Sequence, residues 1–143
     1  MTATNETPGS INKTLSGEIR AFLAERRFAV LATMNPDGTP QQTVVWYELQ
    51  GDEIMMNTAA GRLKDKNLRR DPRISICVED EYRFVTITGR AQLNDDQAVA
   101  QADIERLAVR YDGAESARQQ MERFSKQQRV TIRLPIEKVV VHD

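Results

Sequence analysis

Cysteine and histidine are almost absent from this sequence, which contains one of each among its 143 residues. The single cysteine, Cys77, cannot form a disulfide within the chain, and it lies in an apolar run typical of a buried strand. The one histidine, His142, stands next to the last residue, so no Ser/His/Asp or Cys/His catalytic arrangement can be assembled. We expect no metal site either, because there is no cluster of histidine and cysteine ligands.

Long hydrophobic stretches and an excess of one charge are also missing. Residues 1–13 are polar and have no apolar core, so we expect a loose tail there, with no signal peptide or membrane anchor. Residues 14–143 have the length of one domain. The lack of disulfides fits a cytoplasmic location. The formal net charge of −1 argues against nucleic-acid binding, so an anion site has to come from local clustering of basic residues.

The hydrophobic pattern predicts an α+β protein built from hairpins. An amphipathic helix is expected over residues 14–27, with Thr14 or Ser16 as its N-cap. Further helices are expected over residues 59–71, between Asp96 and Asp112, and over residues 114–126. Strands are expected over residues 28–33, 39–49, 53–58, 73–79, 82–93 and 129–134, with residues 136–142 extending the last strand or capping a sheet edge. Six or so strands that follow one another as hairpins indicate an antiparallel barrel with peripheral helices.

The strongest local signal is the basic segment 61–73, in which six basic residues stand against two acidic ones. On a helix Arg62, Lys66, Arg69 and Arg73 would share one face, with Lys64 near the exposed N-terminal end. A helix N-terminus that follows small residues offers free N–H groups and a partial positive charge to an anion, as in phosphate sites. A solvated helix face is the other interpretation. A nucleic-acid patch is disfavoured because aromatic residues are not interleaved with the basic ones.

Four short motifs follow one another along the chain. They are Phe-Ala-Val-Leu-Ala-Thr at residues 28–33, Asp-Gly-Thr-Pro at 37–40, Arg-x-Lys-x-Lys-Asn-Leu-x-x-Asp-Pro-Arg at 62–73 and Gly-Arg-Ala at 89–91. Their order and spacing resemble the pyridoxamine 5'-phosphate oxidase-like, FMN-binding split β-barrel superfamily, and most of all its branch of coenzyme F-420-dependent flavin/deazaflavin oxidoreductases. The resemblance runs from about Glu18 to Val140. It implies an antiparallel split barrel with a phosphate-bearing coenzyme.

The resemblance also implies where that coenzyme lies. Arg62 and Lys64 would hold the phosphate, with Thr58 and Ala59 at the helix entrance and Asn67 nearby. The tricyclic ring would lie against the second strand, formed by Gln41, Gln42, Thr43, Val44, Val45 and Trp46. A neighbouring subunit closes the pocket in this superfamily, and Tyr82 is the candidate for that contact. Ordinary packing is the alternative role for Trp46 and Tyr82, and an exposed hairpin edge is the alternative for residues 41–43.

The implied activity is the transfer of a hydride from reduced coenzyme F-420 to an electron-poor organic substrate. The coenzyme supplies most of that chemistry, so no side chain is assigned a catalytic role. Lys66, Arg69, Arg70 and Arg73 exceed the need of one phosphate and favour the anionic polyglutamate tail of F-420. FMN is the alternative coenzyme, and a non-catalytic coenzyme carrier is the alternative function. Pyridoxamine-phosphate oxidase activity itself is disfavoured, since no Arg-x-His motif follows the last strand.

Residues 82–93 carry large or β-branched side chains on both alternating faces. A strand that is apolar on both faces must bury the second one, and a two-fold partner is a common solution. We therefore expect a homodimer with the coenzyme sites at its interface. The alternative is that the helices of residues 95–126 cover this face within one chain.

Overall fold

The computed structural model describes residues 15–142, which form four helices and nine strands. The helices are α1 Gly17–Ala24, α2 Leu63–Arg70, α3 Gln97–Asp112 and α4 Ala114–Phe124. The strands are β1 Ala29–Met34, β2 Pro40–Val45, β3 Glu48–Gln50, β4 Glu53–Ala59, β5 Arg73–Glu79, β6 Phe84–Arg90, β7 Gln92–Asn94, β8 Arg129–Pro135 and β9 Lys138–His142. Ser16 is the N-cap of α1, and its side chain accepts a hydrogen bond from the backbone N–H of Ile19. The expected tail and Thr14 lie outside the described residues.

The strands form two sheets in which every pairing is antiparallel. The five-stranded sheet has the order β2-β1-β5-β6-β9, and the four-stranded sheet has the order β3-β4-β8-β7. Leu31, Ile76 and Ile87 of the first sheet and Ile54 and Ile132 of the second are fully or almost fully buried in one core between the sheets. These observations confirm the predicted α+β class with antiparallel strands. Strand β9 caps the β6 edge of the five-stranded sheet, which was one of the two expectations for it.

Two predicted strands are wrong in one respect, because each divides between the two sheets. Residues 39–49 form β2 and β3, and residues 82–93 form β6 and β7. The first crossing occurs at Tyr47, which is fully buried and donates a hydrogen bond from its hydroxyl to the carbonyl of Leu23. The second follows Gly89, where a Cβ atom would lie 2.8 Å from both Leu134 Cδ1 and the Pro135 carbonyl oxygen. Apolar residues run from Val44 to Tyr47 through the first bend, and Ile87, Ala91 and Leu93 keep the alternation through the second, so the pattern gave no sign of either bend.

Helix α2 is shorter than predicted and begins at Leu63. It ends at Arg70, before Pro72, as the proline rule requires. Arg73 opens strand β5 and therefore does not share a helix face with Arg62, Lys66 and Arg69. Lys64 is buried, whereas the sequence suggested an exposed position near the helix N-terminus.

Within residues 15–142, the helices leave one face of the molecule uncovered. Helix α3 packs on β4 and β8, and α4 packs on α3, so this pair lies on the four-stranded sheet. The alternative in which these helices cover β6 is therefore wrong. On the outer side of the five-stranded sheet, neighbouring strands present a continuous row of mostly apolar side chains: Val44, Val30, Cys77, Thr86 and Val140. Val44 and Val30 are 66% and 36% exposed.

Among residues 15–142, no helix has both the length and the apolar character needed to span a bilayer.

Candidate functional site

A cavity of about 270 Å³ lies where the end of β2, the end of β4 and the start of α2 meet the α3–α4 pair. Its lining is divided by chemistry. One part is basic and polar, and consists of Asn57, Thr58, Arg62, Lys64, Arg123 and Arg129. The other part is mainly apolar, and consists of Val44, Val45, Trp46, Ala59, Ile104, Leu107 and Phe124. A ligand that fits both parts has an anionic group joined to a largely apolar body.

The basic part carries four cations and no acid. Within residues 15–142, none of Arg62, Lys64, Arg123 and Arg129 forms an ion pair. Burial lowers the pKa of the Lys64 ammonium, and the neighbouring charges of Arg62 and Arg129 lower it further. Burial lowers the pKa of Arg129 to about 10, with added repulsion from Arg62 and Arg123, so the guanidinium is still charged at neutral pH. Buried cations without a counter-charge are costly, and an anionic ligand would relieve that cost.

Neutral groups hold the Arg129 guanidinium in place. Its Nε donates to Asn57 Oδ1 at 3.0 Å, and its Nη1 donates to Gln127 Oε1 at 2.6 Å. The guanidinium also stacks over the Phe124 ring, 4.8 Å from the centroid. The backbone of Arg129 exchanges two hydrogen bonds with the side chain of Gln97. The position of this cation is therefore fixed before any ligand arrives.

The entrance to α2 contributes further donors. Arg62 occupies the N-cap position and makes no capping hydrogen bond with its side chain, so backbone N–H groups of the first turn have no acceptor within the helix. The nearby Asp65 carboxylate is already used, since it accepts from the Gly61 N–H at 2.8 Å and from Arg69 Nε at 2.9 Å. The hydroxyl oxygen of Thr58 is buried at the cavity and has no hydrogen-bond partner among residues 15–142. A ligand atom in the cavity would complete its hydrogen bonding.

Aromatic stacking fixes the apolar part of the cavity. The Trp46 ring stacks on Tyr111 with centroids 5.2 Å apart, and Tyr111 stacks on Phe28 at 5.6 Å. The Tyr111 hydroxyl accepts from the backbone N–H of Tyr47 and lies within hydrogen-bonding distance of the Arg27 carbonyl. These contacts tie α3 to the end of β2. They give Trp46 a fixed wall position beside the cavity.

The structure brings together seven of the residues predicted for the coenzyme site: Val44, Val45, Trp46, Thr58, Ala59, Arg62 and Lys64. Asn67 is not among the lining residues. It is fully buried, and its amide nitrogen donates to Thr33 Oγ1 and Asn35 Oδ1, which ties α2 to the end of β1.

Three other predicted residues lie on β2 without lining the cavity. Gln41 accepts a hydrogen bond from the Thr33 hydroxyl, and Gln42 is exposed on the opposite face of the strand. The Thr43 hydroxyl oxygen is buried without a partner. Strand β2 itself is an edge of the five-stranded sheet, so some of its backbone groups face away from any strand.

Tyr82 lies away from this cavity, in the turn between β5 and β6. Its side chain is 80% exposed. It borders a second cavity of about 370 Å³ on the uncovered face of the five-stranded sheet, lined by Cys77, Glu79, Glu81, Tyr82, Arg83 and Phe84. Tyr82 therefore does not reach the first cavity of its own chain.

The surplus cations of the basic segment have other roles. Arg69 pairs with Asp65 and with Asp95, which neutralise it. Arg73 pairs with Asp71 at 2.7 Å, and Arg70 donates to the carbonyl of Met34. These three side chains do not line the cavity. Lys66 is exposed and does not line the cavity either. The four surplus cations that were expected to favour the F-420 tail are therefore not part of this cavity.

Two cations of the cavity, Arg123 and Arg129, were missed by the sequence reasoning. Arg123 comes from α4 and Arg129 opens β8, far along the chain from the basic segment. The available sign was weak. Arg129 stands at the start of a strand whose first four residues are all buried, a position where an arginine is unusual.

Comparisons with known proteins found relatives over most of the chain. A family model described as pyridoxamine 5'-phosphate oxidase matches residues 15–143. Over 100 residues the chain is 32% identical to an F-420H(2)-dependent biliverdin reductase of Mycobacterium tuberculosis, in a match that covers 68% of this chain and 72% of that protein.

Solved structures are similar over most of the chain. A conserved hypothetical protein from Mycobacterium tuberculosis has a TM-score of 0.79 and 28% identity, covering 97% of this chain and 90% of the other. An F-420 reductase has a TM-score of 0.69 and 25% identity, covering 84% of this chain and 94% of the other. These similarities confirm the split-barrel fold.

Proposed function

The chain belongs to the pyridoxamine 5'-phosphate oxidase family, and on that basis we propose that it uses reduced coenzyme F-420 to transfer a hydride to an electron-poor organic substrate. Its enzyme class is that of F-420- or FMN-dependent oxidoreductases, in keeping with the reductases to which it is similar. The observation that carries the proposal is the cavity with four unpaired cations beside an apolar, aromatic wall.

The two parts of the cavity match the two parts of such a coenzyme. Lys64, Arg62 and the unpaired Thr58 hydroxyl would bind the phosphate, together with N–H groups at the start of α2. Val44, Val45 and Trp46 would contact the ring. The outward-facing backbone groups of the β2 edge offer hydrogen bonds to the polar margin of the ring.

When bound, the coenzyme would supply the hydride, and the protein would supply binding and orientation. Ile104, Leu107 and Phe124 would exclude water from one side of the ring. Substrate would approach the side that these residues leave open.

The choice of F-420 over FMN rests on the two similar reductases and on charge. Arg69, Arg70 and Arg73 are engaged elsewhere, so the positive charge that favours F-420 comes from Arg123 and Arg129. They raise the cavity's cations above what one phosphate needs, and F-420 carries further anionic groups in its tail. FMN has a phosphate alone.

Side-by-side equilibrium titrations test the choice. Trp46 is the single tryptophan of the chain and lines the cavity, so its fluorescence reports binding directly. We expect F-420 to bind about tenfold more tightly than FMN, which is about 1.4 kcal/mol. Protein purified from a host that makes FMN but no deazaflavin should be colourless. Tenfold tighter binding of FMN, or yellow protein, would overturn the choice of coenzyme.

Turnover separates an enzyme from a coenzyme carrier. Reduced F-420 should be oxidised at a rate that depends on both the protein and an added electron-poor acceptor. A protein that binds F-420 but never accelerates this oxidation with any acceptor of that class would be a carrier.

We also propose that the protein is a homodimer that buries the outer face of the five-stranded sheet. The row from Val44 to Val140 is apolar and bears no helix, and Phe28 and Tyr82 add exposed aromatic area near it. A second copy would present the same row, which is the self-complementarity that a two-fold interface needs. Tyr82 of each chain could then reach the coenzyme site of its partner.

A further inference from the structure

Arg129 is the one buried arginine among residues 15–142, and its partners differ from those of the arginines that form ion pairs at the surface. Arg20, Arg69, Arg73, Arg83 and Arg106 each pair with a carboxylate at the surface. Arg129 is 6% exposed, yet its side-chain acceptors are two amides, those of Asn57 and Gln127. Its Nη2 has no protein acceptor within residues 15–142. A buried arginine is usually paired with an acid, so the use of two amides calls for an explanation.

The amides of Asn57 and Gln127 orient the Arg129 guanidinium without neutralising its charge. A carboxylate in either position would orient the guanidinium equally well, but it would neutralise the charge that the cavity presents to an anion. An amide oxygen supplies the orientation and leaves the net charge unchanged. Asn57 is itself held, since its nitrogen donates to the Ala100 carbonyl at 2.9 Å, and this fixes its oxygen toward Arg129.

We propose that Asn57 and Gln127 are positioning residues that keep Arg129 oriented and un-neutralised, so that it binds an anionic group of the ligand through Nη2. This inference rests on the proposed function, in which the cavity takes an anionic coenzyme. In this proposal the two neutral side chains preserve the net positive charge that the cavity presents to the ligand.

Gln127→Glu tests the proposal with little disturbance of the fold. The Gln127 amide nitrogen makes no hydrogen bond within the described part of the chain, so the change loses no donor contact. The new carboxylate would keep the bond to Nη1 and add an ion pair to a buried cation. We expect the dissociation constant for F-420 or FMN to rise about tenfold, while the melting temperature is unchanged or higher.

Two further variants separate charge from structure. Gln127→Ala removes the bond to Arg129 but adds no charge, so it should weaken binding less than Gln127→Glu does. A merely structural role predicts the reverse order, because glutamate preserves the contact that alanine loses. Gln92→Glu, at an exposed position on β7, adds the same charge outside the cavity and should leave binding unchanged. Asn57→Asp should repeat the effect of Gln127→Glu if it remains folded.

Orthophosphate serves as a second probe, so that the two proposals can fail separately. Wild-type protein that binds orthophosphate but neither coenzyme would refute the proposed function, and Gln127→Glu should still weaken orthophosphate binding. The inference is overturned if wild-type protein binds no orthophosphate and no coenzyme. It is also overturned if Gln127→Glu binds its ligand as tightly as wild type, or more tightly than Gln127→Ala.

Discussion

Replacing Lys64 with alanine is expected to weaken coenzyme binding by about 1.5 to 3 kcal/mol, which is about 10- to 150-fold in the dissociation constant. The ammonium is 8% exposed, lines the cavity and has no acidic partner in the described structure. A hydrogen bond to a charged phosphate in such a place is among the stronger ones a protein makes.

Lys66→Ala is the matched control, because Lys66 lies two residues further along the same helix and is exposed. It removes the same charge and should leave the dissociation constant nearly unchanged.

The stability of the two variants adds a second readout. The lowered pKa of Lys64 means that its charge destabilises the fold at neutral pH, so the loss of that charge in Lys64→Ala should offset part of the cost of losing the buried stem. Unchanged coenzyme affinity in both Lys64→Ala and Arg62→Ala would contradict the assignment of Arg62 and Lys64 to the coenzyme phosphate.

Val30→Asp is expected to convert the proposed dimer into monomers. Val30 lies in the uncovered apolar row, between Val44 and Cys77 in register, and a carboxylate there would be buried without a partner in the proposed interface. Sedimentation at micromolar concentration measures the change. If the sites are shared between subunits, the monomeric variant should also lose most of its coenzyme affinity, although Val30 does not line the cavity.

Val109→Asp is the control for this change. Val109 is an exposed valine on α3, away from the five-stranded sheet, so the variant should remain dimeric and bind coenzyme normally.

Tyr82→Ala should weaken coenzyme binding while the protein stays dimeric. Wild-type protein that sediments as a monomer and still binds coenzyme at full affinity would refute the shared site.

The pattern of apolar residues predicted the elements well and the sheets less well. The apolar pattern predicts β4 and β5 almost to the residue, because each is a continuous strand in one sheet. It joined β2 to β3 because apolar residues run without a break from Val44 to Tyr47, where the chain crosses from one sheet to the other. Tyr47 is fully buried at the crossing, so the pattern shows no interruption there.

The basic segment 61–73 correctly predicted one side of the cavity, but it also includes cations that do not line the cavity. Arg62 and Lys64 line the cavity as predicted, but Arg69 is neutralised in part by Asp95, which lies 26 residues further along the chain. Such remote pairings cannot be read from local charge counts. Arg129 was missed for the same reason, because it lines a cavity to which six separate elements contribute.

The most direct test of the phosphate site compares FMN with riboflavin, which has the same ring and side chain without the phosphate. Titration of wild-type protein, followed by Trp46 fluorescence, should show FMN bound about tenfold more tightly or better, and Lys64→Ala should remove most of that difference. Riboflavin bound as tightly as FMN would contradict the account, because the cations of the cavity would then contribute nothing to recognition of the coenzyme.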